Sequence, residues 1–322
     1  MSNALLGGLG LTIAAHSRLR AVGRVFGISG IFHRALRGNT EDLASVFGLL
    51  LGGIVAGLVQ GNGAVLVASS LSRIVVSGAL VGIGTKLANG CTSGHMLCGT
   101  TRFSPRSIVA TATFFLTGAL TAQVVYGNAL LGTSPPPPTW TFLDPTDVKL
   151  LALQSIPILV SGMLYIFSTS PRPTKTPGPD EPKPSLRILA SATTSFQFAL
   201  ALRLSSLTEP LKVIAFLLPF HEAFDGALAY LALGALPAGA WLYAHARGNE
   251  KPWFGGAWSV PMSAQIDAQL VLGSAIFGVG WGLAGICPGP GIVNLGRAMA
   301  NSLDLTPFLV WLGAFALGGF VV

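Results

Sequence analysis

The chain has 322 residues, of which 51% are hydrophobic and only 10% are charged, and its formal net charge is +7. A soluble domain carries roughly 25% charged residues, so this composition excludes a disordered chain, a coiled coil and a typical nucleic-acid-binding domain, and it argues strongly against a soluble enzyme. Glycine (41 residues) and proline (21) are both frequent, which is typical of membrane helices. We therefore expect an all-α polytopic membrane protein; the length allows about eight to ten spans of ~20 residues, and the number of full spans stays open.

Apolar stretches recur along the whole chain. They are 4–15, 22–36, 43–60, 64–89, 107–130, 147–169, 187–203, 208–220, 223–244, 265–286 and 304–322. The first two and the stretches 187–203 and 208–220 are too short to cross ~30 Å of hydrocarbon as helices. Such pieces predict broken or re-entrant helices, whose backbone ends must be covered by protein or by a water-filled cavity. The N-terminus lacks the order of basic, apolar and cleavage regions of a signal peptide, so we expect it to be a mature hydrophobic element.

A proline-rich segment divides the chain. Residues 171–185 are polar, and we expect them to form an exposed linker between a first transmembrane repeat, 1–170, and a second, 186–322. The linker carries several basic residues, whereas the loop 131–146, at the other end of one predicted helix, has no Lys or Arg. The positive-inside rule therefore predicts a cytoplasmic linker.

The two halves resemble each other in sequence. A shift of 196 positions aligns LVGIGTKLANGCTSG, from Leu80, with IFGVGWGLAGICPGP, from Ile276, and it superimposes Cys91 on Cys287. Glycine matches are common in membrane helices, but a matching cysteine in the same frame is not. Two repeats are a frequent transporter plan, with the substrate site where the repeats meet. We therefore expect the broken helices of both halves to meet at a central pathway; whether the repeats are inverted or tandem stays open.

The first half contains the motif GCTSGH at residues 90–95, which interrupts a long apolar helix. Gly90 and Gly94 favour a break around Cys91. Thr92 or Ser93 is suited to cap the helix that follows.

The second half carries Cys287 at the equivalent break. Pro288 and Gly289 follow it, and proline fits the first turn of a helix, where its missing N–H costs nothing. Each half is thus expected to place one cysteine just before the start of a short helix.

This arrangement predicts an anion site. Helix N-termini present free N–H groups and partial positive charge, so two of them near the membrane centre would hold an anion. A thiol beside each start adds a weak S–H donor and a polarisable sulfur, which suits a sulfur-containing anion better than chloride or phosphate. The same thiols would also serve as a nucleophile or as a persulfide carrier.

The chain resembles the YeeE/YedE family of sulfur-compound transporters. The motifs are GTKLANGCTSGH at 84–95, GWGLAGICPGPG at 280–291, GISGI at 27–31, TEPLKVIAF at 208–216 and FDGALAYLALGAL at 224–236. The resemblance implies an all-helical membrane protein that takes up thiosulfate or a related sulfur oxyanion. It also implies that Cys91 and Cys287 line the pathway and engage the ion through S–H hydrogen bonds. Thiosulfate-transporting members have a further cysteine near the N-terminus, which this chain lacks.

Three more residues are substrate-site candidates. Cys98 is an extra cysteine, seven positions after Cys91, and in a regular helix it would return to the same face, so both a relay role and a buried structural role stay open. Lys86 lies in an apolar helix and would either face the anion or extend to the interface. His95 would either donate to the anion or tie down the break, and we favour the second.

Several functions remain compatible with these features. The first is a permease for thiosulfate or a similar anion; the alternative is a membrane sulfurtransferase or persulfide carrier that hands sulfur to a cytoplasmic acceptor. A structural membrane protein and a nonselective channel are the other two. No Walker-type GxxxxGK[ST] motif is present, and we expect no enzyme activity, cofactor, metal or nucleic-acid partner. The expected location is the plasma membrane or the bacterial inner membrane.

Overall fold

The protein is all-α. The computed structural model describes residues 1–61, 70–130, 143–168, 181–246 and 251–322, and in this part of the chain the only β contact is an isolated bridge. The helices are α1 (Ser2–Val22), α2 (Ile28–Leu36), α3 (Thr40–Gln60), α4 (Leu71–Leu87), α5 (Pro105–Tyr126), α6 (Pro145–Ser168), α7 (Pro184–Leu204), α8 (Pro210–Phe216), α9 (Ala227–Ala246), α10 (Ala268–Ala284), α11 (Pro288–Ala300) and α12 (Thr306–Val321). Most of the predicted linker and Pro135–Pro138 lie outside the described residues.

The helices confirm the predicted membrane class. Among the described residues, five stretches are long and apolar enough to cross a bilayer: Thr40–Gln60, Pro105–Tyr126, Pro145–Ile166, Ala227–His245 and Ala268–Ala300. The last of these contains α10, the break at Cys287 and α11. Since the lipid-facing side chains are apolar and the helices satisfy their own backbone hydrogen bonds, the fold suits a bilayer.

Two helices are longer than the sequence suggested. The structure extends the stretches 4–15 and 187–203 into α1 and α7, each of 21 residues, so the expectation that they are short broken pieces is wrong. Their polar ends stay helical because the arginines there are paired: Arg18 bonds Asp42 and Arg187 bonds Glu41. The stretches 22–36 and 208–220 do yield only short helices, α2 and α8.

The neighbours of each helix follow a two-fold pattern. The contact between α1 and α9 in one half of the pattern corresponds to the contact between α7 and α3 in the other. In the same way, the contact between α4 and α12 corresponds to that between α10 and α5. α1 and α7 run antiparallel, since Gly7 lies opposite Ser205 and Gly10 opposite Ala201. α4 and α10 are antiparallel too. These contacts are what an inverted repeat would produce, while the division of the chain at 171–185 stays a prediction.

Glycine allows the broken segments to sit directly on the spans. A Cβ added at Gly53 of α3 would collide with the carbonyl oxygen of Val293 in α11, and one at Gly84 of α4 would collide with the backbone of Phe277 in α10. Only glycine permits backbones to approach this closely. The two breaks, which follow α4 and α10, are therefore held at fixed positions relative to each other.

A buried ion cluster joins the first three helices. Asp42 at the start of α3 accepts hydrogen bonds from Arg18 of α1 at 3.2 Å and from Arg34 of α2 at 2.7 Å. The side chains of Arg18 and Asp42 are both 0% exposed. Because a buried charge is costly unless it is paired, this cluster fixes how α1, α2 and α3 pack.

Candidate functional site

Cys91 and Cys287 lie in the same cavity. Their exposed fractions are 1% and 4%, and both line a small pocket of about 20 Å³. The walls include Phe198 and Leu202 of α7 and Leu207 just after it. This volume holds about one water molecule and is too small for an oxyanion. The two halves of the chain thus bring their cysteines together, as their equivalent positions in the sequence suggested.

The segment after Cys91 is not a regular helix. A π-helical turn, Ser93–Leu97, begins there, and the expectation that Thr92 or Ser93 caps it is wrong, because neither side chain bonds the first free N–H groups of the turn. The Thr92 hydroxyl donates to Cys287 Sγ at 3.6 Å, and Ser93 Oγ lies 3.3 Å from Cys91 Sγ. Each thiol therefore has a hydroxyl neighbour.

Cys287 occupies the predicted position before a helix. It is the N-cap residue of α11, and Pro288 stands in the first turn. Gly289 follows, and its lack of a side chain makes room for Ile28: a Cβ added at position 289 would lie 2.6 Å from Ile28 Cδ1. No side chain caps this N-terminus. Pro288 and Pro290 carry no N–H, and the Gly291 N–H donates to the Cys287 carbonyl oxygen at 3.0 Å, so Gly289 has the N–H of this turn that lacks a helical partner.

A third helix start joins the site, and the sequence interpretation missed it. Ile28, the first residue of α2, lines the cysteine cavity, and its backbone N–H donates to Ser93 Oγ at 3.1 Å. The only signal in the sequence was the glycine-flanked GISGI motif, which marks a break without showing where it packs. Three helix starts, rather than two, converge on the thiols.

A large basic vestibule lies on one side of this cavity. Its volume is about 650 Å³. Six cationic side chains line it: Arg24, Arg34, Arg37, Lys86, Arg102 and Arg106. Among the described residues that line it, none is acidic. Three of these cations are ion-paired, Arg24 and Arg34 with Asp42 and Arg106 with Asp267. The lining still carries an excess of positive charge, which raises the local concentration of anions.

The vestibule and the cysteine cavity are separated by a thin wall. Gly27 and Gly94 approach closely there, since a Cβ added to Gly94 would lie 3.8 Å from Gly27 Cα. Beside them, the rings of Phe26 and Phe198 stack with centroids 4.2 Å apart. Gly90 and Gly94 face the vestibule, while Ser93 faces the cavity.

The structure places the other candidates around the cavity rather than in it. Lys86 is exposed at the end of α4 and lines the vestibule. His95 is engaged at both ring nitrogens: Nδ1 lies 3.1 Å from Ser107 Oγ and Nε2 lies 3.1 Å from the Ala88 carbonyl oxygen. This geometry suits a residue that ties down the break. Its role as a ligand stays a prediction.

Cys98 lies apart from the other two cysteines. It lines a different pocket of about 30 Å³, together with His16 and Tyr243, and its Sγ lies 3.9 Å from the Phe26 carbonyl oxygen. The spacing argument assumed a regular helix, in which seven residues return to one face. The π-helical turn changes that periodicity, so Cys98 does not share a cavity with Cys91.

Comparison with known proteins relates this chain to sulphur transporters. A family model described as sulphur transport matches residues 4–121, and one described as a family of unknown function (DUF6691) matches residues 186–317. Two relatives from Xylella fastidiosa, each named a probable transporter, are 45% and 33% identical to this chain over 121 and 134 residues. The matched parts cover 37% and 42% of this chain, and they cover 90% and 88% of the two relatives. Each relative is therefore less than half as long as this chain. No solved structure matches.

Proposed function

The chain belongs to the YeeE/YedE family of sulphur transporters and is an integral membrane protein of the plasma or bacterial inner membrane, and from this premise we propose that it is a permease for thiosulfate or a related sulfur oxyanion. The observation that carries the proposal is the pair of cysteines, one from each half, in one small cavity. In this mechanism the pathway passes Cys287 and Cys91 in turn.

The thiols act as neutral hydrogen-bond donors in this mechanism. The cavity is lined mainly by apolar side chains, so a thiolate there would have to be desolvated at high cost. A neutral S–H is a weak donor with a polarisable sulfur, which binds a soft anion without holding it tightly. Weak binding suits transport, because the ion must leave the site again.

The helix starts complement the thiols. The starts of α2 and α11 lie at the wall of the cavity, where Ile28, Cys287 and Pro288 line it, and their helix dipoles add partial positive charge where an anion would otherwise be unfavourable. When the wall at Gly27 and Gly94 opens, the ion has a continuous route between the cavity and the basic vestibule.

The charge distribution favours a cytoplasmic vestibule. The vestibule lies at the same end of the molecule as the start of α7, where Arg187 donates to the Val22 carbonyl oxygen at 3.0 Å. This end is rich in arginine, so the positive-inside rule places it in the cytoplasm. The anion then arrives from the opposite end and leaves through the vestibule, where a cytoplasmic sulfur acceptor would receive it.

Uptake of radiolabelled thiosulfate into proteoliposomes tests the proposal. We expect saturable uptake by the wild type, none by Cys91→Ala or Cys287→Ala, and partial uptake by the serine variants, since serine still donates a hydrogen bond. Cys98→Ala is the matched control and should transport normally. Wild-type transport by both alanine variants, or no uptake in either orientation with a proton gradient applied, would overturn the proposal.

Mass spectrometry during turnover separates the permease from the sulfurtransferase. A permease leaves Cys91 and Cys287 unmodified. A persulfide that accumulates on either cysteine, together with complete loss of activity in the serine variants, would show covalent sulfur transfer instead, because serine cannot form a persulfide.

A further inference from the structure

A second polar cluster, which is partly buried, lies at the end of the molecule opposite the vestibule. Arg203, near the end of α7, donates to Gln60 Oε1, to Glu209 Oε1 and, at 3.3 Å, to Thr208 Oγ1. Arg297 of α11 approaches the same Glu209 oxygen at 3.8 Å. Gln60 ends α3, whose first residues carry the ion cluster beside the vestibule, so the length of α3, about 30 Å, separates the two regions.

The cluster is continuous with the wall of the cysteine cavity. Leu207 and Pro290 line that cavity. Asn294, one turn after Pro290, donates to the Thr208 carbonyl oxygen at 2.9 Å and accepts from Arg297 NH1 at 3.2 Å. Ten residues of α11 separate Cys287 from Arg297, which corresponds to about 15 Å. An ion that enters from this end meets the arginines before it meets the first thiol.

The charges of the cluster suit a transient anion. Two guanidinium groups share one carboxylate, and the whole Arg297 residue is only 1% exposed. Lys212 and Asp147 flank the cluster with opposite charges. Arginine deep in a membrane protein is costly and usually serves a function. Paired guanidinium forks match the oxygens of a tetrahedral oxyanion, and the adjacent Thr208 hydroxyl adds a donor.

We propose that Arg203 and Arg297 form an entry site for the oxyanion, which replaces Glu209 as the ligand of both guanidinium groups before it reaches Cys287. This inference rests on the proposed permease function. Glu209 occupies the site while it is empty of substrate and keeps the arginines paired. Its carboxylate therefore competes with the anion, so the neutral variant Glu209→Gln should bind the anion more tightly.

Thermal unfolding of the purified protein in detergent tests this site. The unfolding midpoint is measured against sodium thiosulfate, with sodium chloride at the same ionic strength as the reference. Glu209→Gln should lower the midpoint in the absence of thiosulfate. Thiosulfate should then restore it, with an apparent Kd about tenfold below that of the wild type, because the competing carboxylate is gone. Glu222→Gln, an exposed carboxylate at the same end, is the matched control and should behave like the wild type.

Removal of a guanidinium should have the opposite effect. Arg203→Gln should abolish the thiosulfate-dependent stabilisation, and Arg203→Lys, which keeps the charge but loses the planar fork, should weaken it several-fold. If Glu209→Gln gains no stabilisation by thiosulfate beyond that by sodium chloride, the arginines are structural and the proposal is wrong. An equal response to sodium sulfate supports a general site for tetrahedral oxyanions.

The design separates this site from the permease proposal. In Glu209→Gln combined with Cys91→Ala and Cys287→Ala, thiosulfate should still stabilise the protein, because the arginines lie beyond the thiols. Stabilisation without any wild-type uptake would refute the permease and keep the site. Cysteine-dependent uptake without stabilisation of Glu209→Gln would refute the site and keep the permease.

Discussion

Replacement of Asp42 by asparagine should be one of the most damaging isosteric changes in the protein. The side chain of Asp42 is 0% exposed and holds Arg18, also 0% exposed, at 3.2 Å, together with Arg34 at 2.7 Å. Asparagine keeps the shape but removes the negative charge, which leaves the Arg18 guanidinium buried beside a neutral amide. Loss of one partner of a buried pair costs about 3–5 kcal/mol. Arg34 is partly exposed and should add little.

Unfolding of the purified protein in mixed micelles measures this cost. At about 2 °C per kcal/mol for a chain of this size, Asp42→Asn should lower the thermal midpoint by about 6–10 °C. Asp304→Asn is the control, since Asp304 is exposed and accepts local hydrogen bonds from Thr306, two residues away, and it should change the midpoint little.

A double variant distinguishes a buried unpaired charge from a general packing defect. Arg18→Met combined with Asp42→Asn removes both charges, so we expect it to regain at least about 2 kcal/mol relative to Asp42→Asn alone. If Asp42→Asn costs less than about 1 kcal/mol, or if the double variant is no more stable than the single one, the electrostatic reasoning is wrong.

Two further predictions concern helix packing and capping. Gly53→Ala should lower the free energy of unfolding by about 1–3 kcal/mol, because the added methyl group would collide with the Val293 carbonyl oxygen. Gly162→Ala should be neutral or stabilising, because nothing lies within 4 Å of the added methyl group. The thermal unfolding midpoints of the two variants test this contrast. Asp267 caps α10 by accepting from the Leu270 N–H at 2.8 Å, and this hydrogen bond holds the pKa of the Asp267 carboxyl below its usual value of 3.8. Because the folded pKa is the lower one, the capping contribution is complete above the usual value and is lost as pH falls below it. The wild type should therefore lose more stability than Asp267→Asn between about pH 6 and about pH 3, and an equal loss would contradict the assignment.

Local patterns determined the class of this protein and the chemistry at its breaks. The apolar composition required a membrane, and GCTSGH with the later CPGP marked two broken helices with a cysteine at each. Such features can be inferred from the sequence because helix breaking and capping depend on a few adjacent residues. The same locality explains the errors. Thr92 and Ser93 are good caps by type, but in the structure they face the thiol of Cys287 and the start of α2.

Tertiary packing decided the rest. The sequence could not show that Cys91 and Cys287 share a cavity with Ile28, nor that Cys98 lies in another pocket, because both facts depend on the position of the π-helical turn against α2. Only folding revealed that Arg18, near the end of α1, is buried against Asp42, 24 residues away. The basic vestibule and the Arg203–Arg297 cluster are also assembled from separate helices. Charge and hydropathy are properties of single residues and can be inferred from the sequence, whereas the partner of a buried charge is fixed only when distant helices pack together.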